Sequence, residues 1–143
     1  MAKLAFIGLG VMGFPMAGNL AAKDDHEVTV YNRTIARAQA WVVEFGGKAA
    51  VTPANPAEAA DIVFSCVGDD PDLREVTLGT NGAIQSMAKG SIFVDHTTAS
   101  AKIARDTGAD LTVTKMIDGF YAEIRRMGGG RWDTASMIRR LGK

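Results

Sequence analysis

Gly8, Gly10 and Gly13 stand at the G-x-G-x-x-G spacing, with Leu9, Val11 and Met12 between them. They follow a short apolar run, Lys3-Leu4-Ala5-Phe6-Ile7, that reads as a buried strand. They precede a helical pattern with Met12, Met16 and Leu20 on one face and Ala17, Ala21 and Ala22 filling in. The chemistry such a turn can do is anion binding. The first glycine permits the tight strand-to-helix turn, the second lets a pyrophosphate approach the backbone, and the third lets helix and strand pack closely. Unpaired N–H groups and the positive end of the helix dipole then face the phosphates. A lone glycine pattern is weak and also fits a plain turn in another α/β unit. Here a second strand, Glu27-Val28-Thr29-Val30-Tyr31, completes the order expected of a dinucleotide unit within about 30 residues.

The end of that second strand selects the dinucleotide. An NAD site usually carries Asp or Glu there to accept hydrogen bonds from the ribose 2′-OH. This chain has Asn32-Arg33-Thr34. A carboxylate would repel a 2′-phosphate, whereas a guanidinium, an amide and a hydroxyl all donate to it. The reading is NADP rather than NAD. Arg33 as a solvated helix-entry residue and Thr34 as an N-cap are the plainer roles, and both sets can coexist.

These residues need a scaffold, and the remaining pattern supplies one. Thr34 to Phe45 reads as a helix with Ile35, Ala38, Val42 and Phe45 on one face, stopped by Gly46-Gly47. Ala49-Ala50-Val51 is a short third strand, and Pro56 opens a small helix through Ala60. Asp61 to Val67 reads as a fully buried fourth strand, broken by Gly68-Asp69-Asp70-Pro71. A helix from Pro71 to Leu78, a helical turn over 83–87 and a fifth strand, Ser91 to Asp95, follow. Strands alternating with helices imply an α/β fold with a Rossmann-type doubly wound parallel sheet. Beyond about Arg105 no strand pattern remains. Apolar residues from Leu111 to Met127 fit a helical stripe, Gly128-Gly129-Gly130 stops it, and Asp133 caps a last short helix. The expected division is a nucleotide-binding domain over 1–106 and a short α-helical tail over 107–143.

Basic and acidic residues number 16 each and 47% of the chain is apolar, so nothing argues for a nucleic-acid or membrane-surface partner. The single Cys66 excludes an internal disulfide and lies in an apolar run, which suggests a buried, inert thiol. No signal-peptide layout and no bilayer-length apolar stretch are apparent, and a cytoplasmic location is expected.

Gly8-Leu9-Gly10-Val11-Met12-Gly13, with Pro15-Met16 and Asn19-Leu20, resembles the opening of the β-hydroxyacid dehydrogenase family, the group of 3-hydroxyisobutyrate dehydrogenase, tartronate semialdehyde reductase and, more distantly, 6-phosphogluconate dehydrogenase. Val94-Asp95-His96-Thr97-Thr98-Ala99-Ser100 resembles the family's D-x-S-T-x-S-P segment, with Thr97 in place of Ser and Ala101 in place of Pro. Gly129 to Ile138 is similar to the extreme C-terminus of members near 3-hydroxyisobutyrate dehydrogenase. The resemblance thus joins two distant ends of the family near Asp106-Thr107. The glycine-rich substrate segment and the G-x-G-x-x-x-K-x-x-x-N helix that carries the family's catalytic lysine are not found in this chain. Lys115 has no preceding glycine pair and Gly119 where Asn is needed, and Lys102 only follows the Thr97 segment. Both read as solvated lysines.

The resemblance implies hydride transfer between a nicotinamide and a small β-hydroxyacid, with the lysine as general acid/base. It places Gly8, Leu9, Gly10, Val11, Met12 and Gly13 on the pyrophosphate and Asn32, Arg33 and Thr34 on the 2′-phosphate. Val67 and Gly68 line the adenine-ribose side, Thr98 lies near the nicotinamide ribose, and Thr97 contacts the substrate carboxylate. Asp95 reads as a strand-end cap, and His96 as structural or solvated. With the lysine segment missing, the expectation is an internally shortened member that binds NADP with little or no catalysis, handling a β-hydroxyacid only if activity survives. The contrasting expectations are a non-catalytic assembly protein that self-associates through an exposed sheet face and the tail helices, and the product of a damaged gene that folds poorly.

Overall fold

A computed structural model describes residues 1–23 and 26–97. They alternate β1 (Ala2–Ile7), α1 (Gly13–Ala21), β2 (His26–Tyr31), α2 (Ile35–Phe45), β3 (Lys48–Ala50), α3 (Ala54–Ala57), β4 (Ile62–Ser65), α4 (Asp70–Leu78), a 3-10 turn (Ala83–Gln85) and β5 (Ile92–Asp95). The five strands form one parallel sheet in the order β3-β2-β1-β4-β5. The chain builds outward from β1 to β3, then returns to the other side of β1 to add β4 and β5. The strand order therefore reverses at β1/β4, where the carboxyl ends of such sheets leave a ligand crevice. The Rossmann-type expectation is met. The first compact unit spans Met1–Ala99. Thr98 and the helical segments expected beyond Arg105 lie outside the described residues.

The core lies between the sheet and helices α1 and α2. Leu4, Phe6, Leu9, Val28 and Val30 pack against Ala17, Ala38 and Trp41, all buried. Phe6 and Phe64 stack with centroids 6.0 Å apart. Met16, Leu20, Val42 and Phe45 pack against this core as expected, and each stripe departs at one end. Met12 is exposed, while Gly13, Ala17 and Gly18 are the buried residues of α1. A Cβ on Gly18 would lie 2.7 Å from the Phe45 ring, so a large α1 side chain there is excluded by the helix–helix approach. On α2 the buried pair is Ala38 and Trp41, with Ile35 turned outward. Trp41 spends its one polar atom inside the fold, its indole N–H donating to the Phe14 carbonyl at 3.2 Å. That bond lets the largest side chain of the helix occupy the interior.

Smaller departures are local. Helix α3 starts two residues before Pro56, which sits in its first turn, where a missing N–H leaves no helical bond unmade. The Thr52 hydroxyl accepts from the Asn55 N–H at 3.3 Å and starts that turn. The third strand is Lys48–Ala50, one residue earlier than expected. The fourth is limited to Ile62–Ser65, with Val63 and Ser65 buried and Ile62 and Phe64 half-buried, so it is not buried on both faces. Asp61 instead ties the sheet's entry edge, accepting from the Lys3 N–H at 2.8 Å.

Candidate dinucleotide-binding site

The turn after β1 is built by exclusion of side chains. Gly8 has φ +94°, and a Cβ there would meet the Cys66 carbonyl oxygen at 2.4 Å. Its N–H donates to the Tyr31 carbonyl at 2.9 Å, and the Cys66 N–H donates to Ile7 O at 2.9 Å. The turn is thus pinned to both neighbouring strands. A Cβ on Gly13 would lie 2.0 Å from the Gly8 carbonyl, so strand and helix meet there without room for a methyl. Gly10 is the opposite case: its missing Cβ faces open space, with nothing within 4 Å.

Between the glycines, Leu9 is fully buried, whereas Val11 and Met12 are 86% and 65% exposed. Leu9 anchors the loop through its backbone. Its N–H donates to Asn32 Oδ1 at 2.9 Å, and its carbonyl accepts from Arg37 Nε. Arg37, whose guanidinium lies 5.5 Å from the centroid of the Phe14 ring, was not anticipated from the sequence. Its one signal is its place on the first turn of α2, three residues after Thr34. Helix α1 has no side-chain cap and no acidic residue in its first turn. An uncapped, uncharged helix start over an open Gly10 fits a pyrophosphate.

At the end of β2, Asn32 is engaged twice: its amide oxygen holds Leu9, and its amide N–H donates to the Thr34 carbonyl at 3.2 Å. Thr34 occupies the N-cap position of α2 in extended conformation, yet its hydroxyl makes no capping hydrogen bond. Arg33 is 82% exposed, with Nη1 2.8 Å from Asp72 Oδ1 on α4. Burial raises the Tyr31 phenol above its ordinary pKa; Arg33 opposes the shift and Glu75 adds to it. Asp72 also escaped the sequence reading, although Asp69-Asp70-Pro71-Asp72 is an acidic run at the mouth of a crevice.

The ends of β4 and β5 are knitted together. The Ser65 hydroxyl donates to Asp95 Oδ1, which also accepts from the Thr97 N–H at 3.0 Å. The Val67 N–H donates to Thr97 Oγ1 at 3.1 Å, and the His96 N–H to Ser65 O at 2.8 Å. Asp95 is therefore a strand-end cap, and the His96 ring stacks flat on Phe64. Cys66, between Gly8 and this cluster, is half-buried rather than buried. Burial first, and then the Asp95 carboxylate, raise its thiol pKa above the ordinary value, which disfavours the thiolate. Gly68 is exposed, and a Cβ on it would come 3.0 Å from Asp72 Oδ2.

Among the described residues no group of three or more His, Cys, Asp or Glu could hold a metal ion. No helix among them is long and apolar enough to cross a membrane.

A parallel sheet with this glycine turn at its switch point is a nucleotide-binding domain of the Rossmann type. The chain belongs to the family of the NAD binding domain of 6-phosphogluconate dehydrogenase, whose model it matches over residues 3–117. It is 62% identical over 109 residues to an uncharacterized oxidoreductase of Shewanella frigidimarina, covering 76% of this chain and 37% of that one. A probable 3-hydroxyisobutyrate dehydrogenase-like 1 protein, mitochondrial, of Arabidopsis thaliana is 40% identical over 105 residues, covering 73% of this chain and 31% of the relative. The solved structure of Psf3 in complex with NADP+ and 2-OPP superposes with a TM-score of 0.65 at 26% identity, over 72% of this chain and 36% of that one. The chain thus spans about a third of the length of these relatives, and what it shares with them is the NAD(P)-binding domain of 3-hydroxyisobutyrate dehydrogenase-like oxidoreductases.

Proposed function

We propose that the chain binds NADP(H) in preference to NAD(H), with little or no hydride transfer of its own. The observation that carries the preference is the end of β2. Residues 32–34 contribute no carboxylate of their own, and they present an exposed guanidinium, paired with Asp72, and a Thr34 hydroxyl that makes no capping hydrogen bond. Asn32 contributes by position: it braces Leu9 and so fixes the strand end against the glycine turn. Gly8, Leu9, Gly10, Val11, Met12 and Gly13 would surround the pyrophosphate, with Val67 and Gly68 along the adenosine and Thr98 near the nicotinamide ribose. Thr97 Oγ1 accepts from Val67 and keeps its own proton to donate to a substrate carboxylate. A nicotinamide held there would supply the hydride chemistry. A general acid/base at the alcohol oxygen typically contributes about 10²–10⁴-fold, and the lysine segment that supplies it in the family is missing from this sequence. A cytoplasmic location and the division into 1–106 and 107–143 remain part of the same proposal.

The test is a titration of the purified chain with NADPH and NADH in parallel. Saturable NADPH binding that exceeds NADH binding, and loses about tenfold or more on Arg33→Ala, supports the reading. Equal affinities for the two cofactors, unchanged in that variant, would sink it.

A further inference from the structure

The Arg33–Asp72 pair joins two elements that do not touch through the sheet. Arg33 follows β2, Asp72 lies in the first turn of α4, and β1 runs between β2 and β4. The bridge therefore spans the end of β1, where the glycine turn leaves the sheet. Its geometry is good, with Nη1 to Oδ1 at 2.8 Å, and its burial is slight, with the side chains 82% and 35% exposed. Such a pair is weakly held and readily exchanged. Asp72 is anchored through its backbone. Its N–H donates to Asp69 Oδ1 at 3.0 Å, and its second carboxylate oxygen sits over Gly68.

We propose that Asp72 is a specificity-determining residue, whose carboxylate competes with the cofactor's 2′-phosphate for Arg33 and so weakens binding of NADP(H) selectively. This rests on the reading of Arg33 as the 2′-phosphate ligand. A 2′-phosphate that takes the guanidinium must displace the carboxylate or share the cation with it. In either case it meets a like charge at close range. A ribose 2′-OH carries no charge and meets no such barrier, and a carboxylate can accept its hydrogen bond. Asp72 therefore narrows a preference that Arg33 creates. In chemical terms the pair is an internal mimic of the phosphate contact.

The experiment is a four-protein cycle on the full 143-residue chain: wild type, Asp72→Asn, Arg33→Ala and the double variant, each titrated with NADPH and NADH. Asp72→Asn keeps the backbone N–H that Asp69 holds, and Asp72→Ser provides a second variant with the same N–H. Circular dichroism and the melting temperature check that each is folded. The expected result is that Asp72→Asn tightens NADPH by about threefold to tenfold and does not tighten NADH. In the Arg33→Ala background the same change should move the cofactor ratio less, because only the direct repulsion between carboxylate and phosphate is left to relieve and no guanidinium is released. If Arg33→Ala leaves the ratio unaltered, the 2′-phosphate reading fails, and this proposal with it. If Arg33→Ala weakens NADPH but Asp72→Asn is neutral or also weakens it, only the competing role of Asp72 is overturned, because the carboxylate would then be inert or would orient the guanidinium.

Discussion

At the scale of single residues, three glycines of one motif have different physical reasons to be glycine. A methyl at Gly13 would have to pass within 2.0 Å of a backbone oxygen, and backbone cannot step aside. Gly13→Ala is expected to cost about 1–3 kcal/mol through overpacking, seen as a lower denaturation midpoint with an unchanged slope. Gly10 meets nothing within 4 Å and has no positive φ. Gly10→Ala should leave stability within about 0.5 kcal/mol of wild type. It should still weaken NADPH by about tenfold or more, because the methyl fills the space a phosphate would use. If Gly10→Ala binds NADPH normally, the pyrophosphate does not lie against Gly10. The pair of substitutions separates what the turn needs in order to fold from what it needs in order to bind.

At the scale of elements, the N-terminus of α4 is the joint on which the Arg33 bridge depends. Asp69 has extended backbone and accepts from the Asp72 N–H at 3.0 Å, so it caps the turn that presents Asp72. Asp69→Ala should cost about 1 kcal/mol, and Asp69→Asn, which keeps an acceptor, much less. For a domain of this size about 1 kcal/mol lowers the melting temperature by about 4–8 °C, which a thermal scan of the two variants resolves. Equal melting temperatures for the two would mean that the cap carries no weight. The elements were legible in the sequence for a plain reason: the period changes sharply at Gly8–Gly13, Gly46-Gly47 and Gly68–Pro71, and each change falls at an element end. What was not legible came from contacts between elements. Trp41 is inside because the Phe14 carbonyl accepts its N–H, and Arg37 reaches back to Leu9. Asp72 finds Arg33 across 39 residues of sequence. Of the site, the glycine turn and the end of β2 could be named in advance because they are local motifs. Arg37 and Asp72, which brace them, could not, since no spacing encodes those contacts.

At the scale of the whole molecule, ligand binding and folding are one equilibrium. A ligand that binds the folded chain alone stabilises it in proportion to the logarithm of its concentration over Kd, about 2.7 kcal/mol at a hundredfold excess. The glycine turn is tied to β2 and β4 as well as to α1, so a dinucleotide seated on it engages the centre of the sheet. NADPH at about one hundred times its Kd should therefore raise the melting temperature by about 10–20 °C, and NADH at the same concentration by less. Catalysis is expected to part company with binding. Without the family's lysine segment, turnover of 3-hydroxyisobutyrate with NADP+ should fall at least about 10²-fold below that of a full-length relative. A large NADPH thermal shift with that loss of turnover is the signature of a binding domain separated from its chemistry. Turnover at a full-length rate would instead require an acid/base group elsewhere in these 143 residues, and Lys102 and Lys115 would be the first to substitute.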